Sequence, residues 1–194
     1  NYFDENMFLS SSSNFEIIFN KNLKIEDYKL KSNVNFDHIN FKLKKNNFKN
    51  YINDFDDKII FKNGKLKINI NKKNNNEFRI NSQYTINENY KLQDFKLNIL
   101  QNNLIKKYNL YVDLSKIGAS YDLINFHKKI DDELFLDLEA IEYKDNYEIE
   151  NLKISSSRNN FIFKNIKFNK FHKITDFDLI KAKFQNKNGS MNDI

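Results

Sequence analysis

Apolar and polar residues alternate one for one along much of this chain, the pattern of strands with one face against a core and the other in water. Leu66/Ile68/Ile70, Tyr108/Leu110/Val112/Leu114 and Leu134/Leu136/Leu138/Ala140 each form one such apolar phase. Phe78/Ile80/Tyr84/Ile86 lie opposite Glu77/Arg79/Asn81/Gln83/Thr85 in the same way. Four further segments alternate, slip by one residue across a polar pair, and alternate again. They are Leu23/Ile25/Tyr28/Leu30, Tyr90/Leu92/Phe95/Leu97, Tyr147/Ile149/Leu152/Ile154 and Phe161/Phe163/Ile166/Phe168. A slip of one flips every later side chain to the other face, so the pairs Glu26-Asp27, Gln93-Asp94, Glu150-Asn151 and Lys164-Asn165 are predicted to be bulges or bends. Asn63-Gly64 has the left-handed-tolerant chemistry of a two-residue hairpin turn. Polar clusters at 72–76, 144–146 and 155–160 mark further turns, giving the spacing of a β meander.

One segment has a different period. Phe48, Tyr51, Ile52 and Phe55 fall at i, i+3, i+4 and i+7, which predicts a short helix over 46–57 docked on one end of the sheet. A second short turn or helix is expected within 118–129. No linker or shift in composition divides the chain, so residues 1–194 read as a single β-rich unit. About ten strands with one apolar face each set a physical problem, because burying a large apolar side chain stabilises by about 1.5–3 kcal/mol and one short helix cannot cover them all. The sheet must close as a sandwich, a barrel or a folded trough, or its apolar face must be occupied by something else, such as lipid chains.

Composition removes several function classes. Asn (35), Lys (30) and Ile (24) dominate, as codons of an AT-rich genome would dictate, while Arg occurs only as Arg79 and Arg158. The net charge of +6 therefore reflects lysines in the polar phase of strands, as at Lys65/Lys67, rather than the clustered guanidinium forks of a specific nucleic-acid binder. With no cysteine, disulfides and thiolate chemistry are excluded. His38, His127 and His172 are far apart, and Asp54/Asp56/Asp57 and Asp131/Asp132/Glu133 read as solvated turn charges. Gly64, Gly118 and Gly189 are isolated, and the serine runs 10–13 and 155–157 lack the glycine frame of a nucleophile elbow. Neither an enzyme, a metal centre nor a cofactor site is expected. The 19 Phe and 10 Tyr fit either a packed β core or a surface facing acyl chains. The first residue is Asn rather than Met, and the chain is read as a segment of a longer protein.

The order of elements after residue 105 is more specific. Tyr108–Ser115 ends a strand in Asp-Leu-Ser, a short segment centred on Phe126-His127-Lys128 follows, and then come an apolar strand near 133–143 and the slipped strands at 147–155 and 161–169. This succession resembles the AsmA-like family of large bacterial envelope proteins, of the YhdP and TamB type. In that family an Asp-Leu-Ser/Thr strand end, an aromatic-x-Lys segment and Leu-rich strands follow one another. Asp113, Leu114, Ser115, Phe126 and Lys128 match its pattern, with Phe where Trp is usual and Lys129-Ile130-Asp131 in place of Pro-Gly.

The resemblance implies a curved antiparallel meander folded into an elongated trough, here with one short covering helix. It also implies a passive role in phospholipid transport or outer-membrane maintenance, in the periplasm, with an inner-membrane anchor outside this segment. Phospholipid acyl chains would then be the partner, on a groove floor built from Leu134, Leu136, Leu138, Ile149, Leu152, Ile154, Phe161, Phe163, Ile166 and Phe168. The other reading is a scaffolding β domain that binds a protein partner in envelope or outer-membrane protein assembly.

Overall fold

The computed structural model describes residues 8–42, 52, 55, 58–73, 75–86, 91–122, 126–185 and 188–193. The long strands are β1 (Leu9–Phe19), β2 (Ile25–Lys42), β3 (Lys58–Asn71), β4 (Asn76–Thr85), β5 (Gln93–Gln101) and β6 (Lys106–Asp113). After a small hairpin, β7 (Ala119–Tyr121) and β8 (Phe126–Lys128), the meander resumes with β9 (Phe135–Glu142), β10 (Asn146–Ser155) and β11 (Asn160–Asn169). It ends with β12 (Ile174–Asp176), β13 (Leu179–Gln185) and β14 (Met191–Asp193). These form one 12-stranded antiparallel sheet in the order β1-β2-β3-β4-β5-β6-β9-β10-β11-β13-β14, with β12 beside β11 and the β7–β8 hairpin set apart. The two ends of that order do not pair, so the sheet is open rather than a barrel.

The register follows from the alternation. Three of the predicted slips are irregularities in the ladder: Glu26 and Glu150 are skipped where the pairing shifts, and Asn165 takes a left-handed φ of 51°. Each absorbs the extra residue that would otherwise turn the apolar phase outward. The fourth does not. Gln93-Asp94 pairs without a shift against Gln83 and Tyr84, and Leu92 lies before the strand begins.

Asn63-Gly64 is not a hairpin turn. It lies inside β3, at a register shift between Lys62 and Lys65, with Asn63 at φ 52°. A bulge needs the same left-handed tolerance as a tight turn, and Gly64 is required here for a second reason. The Phe36 ring lies over it, and a Cβ at this position would overlap that ring.

The expected helix over 46–57 falls mostly outside the described residues. Of the two that are described, Ile52 pairs with Ala119 as an isolated antiparallel bridge, and Phe55 is buried in the core. The described residues contain no α-helix, and within 118–129 they form the antiparallel pair β7 and β8. Strands of three residues are too short to display a period, which is why this hairpin was not readable as one. Phe55 joins Tyr84, Ile86 and Ile117 in a sealed cluster, with Ile52, Ile59, Phe61, Phe95, Val112 and Leu114 packed against it. Among the described residues, Ile52, Phe55 and the excursion between β6 and β9 contribute to this cluster.

Candidate functional site

Register places the apolar phases of successive strands side by side. One row runs Val34, Leu66, Ile80, Leu97, Leu110, Leu138, Leu152, Phe163, Ile180 without interruption across nine strands, β2 to β13. A parallel row runs Phe78, Ile99, Tyr108, Ala140, Ile149, Ile166, and another Phe95, Val112, Leu136, Ile154, Phe161, Ala182. The opposite face carries polar rows such as Asn33, Lys67, Arg79, Asn98, Asn109, Glu139, Asn151, Lys164. One face of the sheet is therefore apolar along this row from β2 to β13, with Ser11 next to Val34 on β1, and the rows named on the other face carry amides and charges.

The apolar face is not sealed. From Val34 to Phe163 every residue of the first row is half-buried, and Ile180 is 46% exposed. Nine of the ten floor candidates lie on this face by register, and Leu134 precedes β9. Leu134 and Ile166 are buried, at 4% and 6% exposure, and the other eight are half-buried. The apolar row continues from Val34 to Leu97, outside the stretch that resembles the envelope family.

At the end of the sheet where β6 stops and β9 starts, the face is covered by a cap that the Asp-Leu-Ser and Phe-x-Lys motifs build together. The Asp113 carboxylate accepts from the Ser115 amide at 2.8 Å and its carbonyl accepts from the Tyr84 hydroxyl at 2.7 Å, which ends the strand in a turn. The Leu114 amide donates to the Leu134 carbonyl at 2.7 Å, tying the two ends of the excursion together. Lys128 is 1% exposed, and its ammonium donates to the carbonyls of Ser115 (3.0 Å), Ile117 (2.8 Å) and Lys129 (2.9 Å). Burial pushes the Lys128 pKa below the ordinary lysine value, opposed by the charges of Asp132, Asp113 and Asp131. Three acceptors match the three N–H bonds of an ammonium, so the charge is held by the carbonyl cage rather than by an ion pair.

The aromatic Phe126 anchors the cap to β11 and β13. Phe126 meets Phe161 and Phe184 edge to face, at 5.5 and 6.1 Å between centroids, and Phe161 stacks on Phe184 at 5.5 Å. Where the family has Pro-Gly, Asp131 takes φ 72°, the conformation for which glycine is the cheapest residue, and its amide bonds the Ser115 carbonyl at 3.0 Å. The Lys116 ammonium holds the Asp131 carboxylate at 2.6 Å and keeps it below the usual carboxylate range.

Among the described residues the far end of the same face has a polar rim and no cap. Lys106, Glu142 and Tyr147 lie side by side at the ends of β6, β9 and β10, with Phe168 next to them on β11. The Lys106 ammonium lies 3.1 Å from Glu142, and the Tyr108 hydroxyl donates to the other oxygen of the same carboxylate. Burial, then the hydrogen bond to Glu142, pushes the Tyr108 phenol up to about 12, while Tyr108 and Lys106 hold Glu142 below its ordinary value.

The three histidines do not converge. His38 is on β2, His127 on β8, and His172 in the turn after β11. Of the carboxylate clusters, Asp54/Asp56/Asp57 lies outside the described residues, and Asp132 caps the Lys129 amide at 3.2 Å. Among the described residues no three His, Asp or Glu side chains are grouped as a metal site, and no helix is long and apolar enough to cross a membrane. Comparison with family models, with curated proteins and with solved structures finds no match for this chain.

Proposed function

We propose that the apolar face of this sheet carries lipid acyl chains, and that the chain is a segment of an AsmA-like envelope protein moving phospholipid passively or maintaining the outer membrane. The observation that carries this reading is the unbroken row of half-buried apolar residues from Val34 to Phe163. A protein that needed this face only as its own core would cover it, since half-exposed leucines forgo part of the gain from burial.

The dimensions suit the ligand. Nine strands at about 4.8 Å spacing give a floor about 38 Å long. The hydrocarbon core of a bilayer is about 30 Å for two leaflets, so one acyl chain is about 15 Å long, and the floor holds two in succession. Alternation leaves no polar side chain in the row that a sliding chain would have to cross. Movement along such a floor needs no catalytic residue, and the water-facing rows keep the outside of the sheet solvated.

Native mass spectrometry of the chain purified from a lipid-containing host tests the reading. Phospholipid masses bound to the folded chain, lost when detergent is added, are the expected result. A bare mass under conditions that preserve known lipid complexes favours the alternative, a scaffolding β domain that binds a protein partner and keeps its apolar faces buried internally.

A further inference from the structure

The two ends of the apolar face differ in kind. One is closed by the Lys128 cap, and the other opens on the rim formed by Lys106, Glu142, Tyr108 and Tyr147. Against this rim lies a cavity of about 240 Å³, lined among others by Tyr108, Tyr147, Phe168, His172 and two carboxylates, Glu142 and Glu148, with Lys106 held at its edge by the ion pair to Glu142. Its wall changes from apolar at Ala140 and Ile149 to charged at Glu142 within the span of one strand.

We propose that this rim is a head-group subsite for a zwitterionic phospholipid, with its ammonium on Glu142 and its phosphate on Lys106, while the acyl chain runs from Ala140 and Ile149 into the floor. The inference rests on the acyl-chain reading above and names the head that the face accepts.

Three observations support it. First, Lys106 and Glu142 form an ion pair at the margin of an apolar face, with side chains 40% and 29% exposed, so both are reachable from water. A zwitterion is the complement of such a pair, because its two charges meet the two side chains without either partner losing a counter-charge. An anionic head would set its phosphate against the Glu142 carboxylate, and like charges held together cost free energy.

Second, valences remain. Among the described residues Lys106 gives one of its three N–H bonds to Glu142, and Glu142 accepts one bond at each oxygen, where each can take two. Third, the cavity walls are aromatic. Tyr108, Tyr147 and Phe168 line it, and His172 is tilted against Tyr147 at 5.3 Å between centroids. Aromatic faces attract an alkylammonium beside a carboxylate. The His172 ring is placed by a turn that is itself fixed: its amide donates to the Asn169 carbonyl at 2.9 Å, and the Asn169 side chain accepts from the Phe171 and Lys173 amides.

The test compares two probes with the same acyl chain, a lysophosphatidylethanolamine and a monoacylglycerol, titrated below their critical micelle concentrations into the whole chain and into its E142Q variant. Glutamine removes the charge but keeps one acceptor oxygen for Lys106, and its amide N–H can donate to the Tyr108 hydroxyl oxygen, so the strand end is retained, and a thermal melt of each sample checks this. The wild type is expected to bind the zwitterionic probe about tenfold more tightly than the neutral one, and E142Q to bring the two affinities together by weakening only the first. If both probes bind equally and E142Q changes neither, the head-group subsite is overturned while the apolar floor stands. If neither probe binds, the floor and the subsite fall together.

Discussion

Replacement of Lys128 by methionine is expected to destabilise the fold by about 2–3 kcal/mol, because it removes three charge-assisted bonds and takes from the Ile117 carbonyl its ammonium donor, while the Ser115 and Lys129 carbonyls keep the Asp131 and Asp132 amides. A buried acceptor left without a partner costs about 1–3 kcal/mol, and bonds from a charged donor are at the stronger end of the range. The methionine fills the same volume, so a cavity does not account for the loss. Chemical denaturation of both proteins reads it directly.

The pH dependence has a definite sign. Burial lowers the folded-state pKa of Lys128 below the 10.5 of the unfolded chain. Between those two values the unfolded chain binds more protons, so this residue's contribution raises stability as pH rises through the window. K128M lacks that slope. A variant as stable as the wild type would mean that the cap does not depend on the carbonyl cage.

Substitution of Leu138 by aspartate is expected to abolish acyl-chain binding with a much smaller effect on the fold. Leu138 is at the centre of the apolar row, paired with Leu110 on one side and Leu152 on the other, and it is only half-buried. Water reaches the position when no ligand is present, so the folded chain tolerates a carboxylate there. A bound acyl chain removes that water. An aspartate facing hydrocarbon costs about 2.5–3.5 kcal/mol, which corresponds to a loss of affinity of about 100-fold. The neighbouring E139Q change, on the solvated face, is expected to leave binding unaltered. Titration with a fluorescent fatty acid, alongside a thermal melt of each variant, separates loss of the floor from loss of the fold.

How much of this was legible in the sequence depended on the range of the interaction. Alternation such as Phe78/Ile80/Tyr84/Ile86 is local and gives the apolar face directly. The slips at Glu26, Glu150 and Asn165 are legible for the same reason, since the phase change appears within a few residues. Asn63-Gly64 was misread because left-handed tolerance serves a mid-strand bulge as well as a hairpin, and only the Phe36 ring above Gly64 distinguishes the two.

The cap was legible in part. Asp113-Leu114-Ser115 and Phe126-x-Lys128 were visible as a resemblance. Their purpose was not, because the carbonyl cage joins Lys128 to residues 11 and 13 positions earlier through a hairpin of three-residue strands. The rim was not legible at all. Lys106 and Glu142 are 36 residues apart, and only the pairing of β6 with β9 across the β7–β8 excursion sets them face to face.

The proposed function requires lipid on one face of the sheet and not on the other. Adjacent residues on a strand point to opposite faces, so a photoreactive amino acid at Leu110, Leu138 or Leu152 samples the apolar face. At Asn109, Glu139 or Lys153 it samples the polar one, at nearly the same position along the strand. Irradiation with radiolabelled phospholipid is predicted to label the first three positions and leave the second three blank. Labelling of both sets alike, or of neither, would contradict an acyl-chain floor.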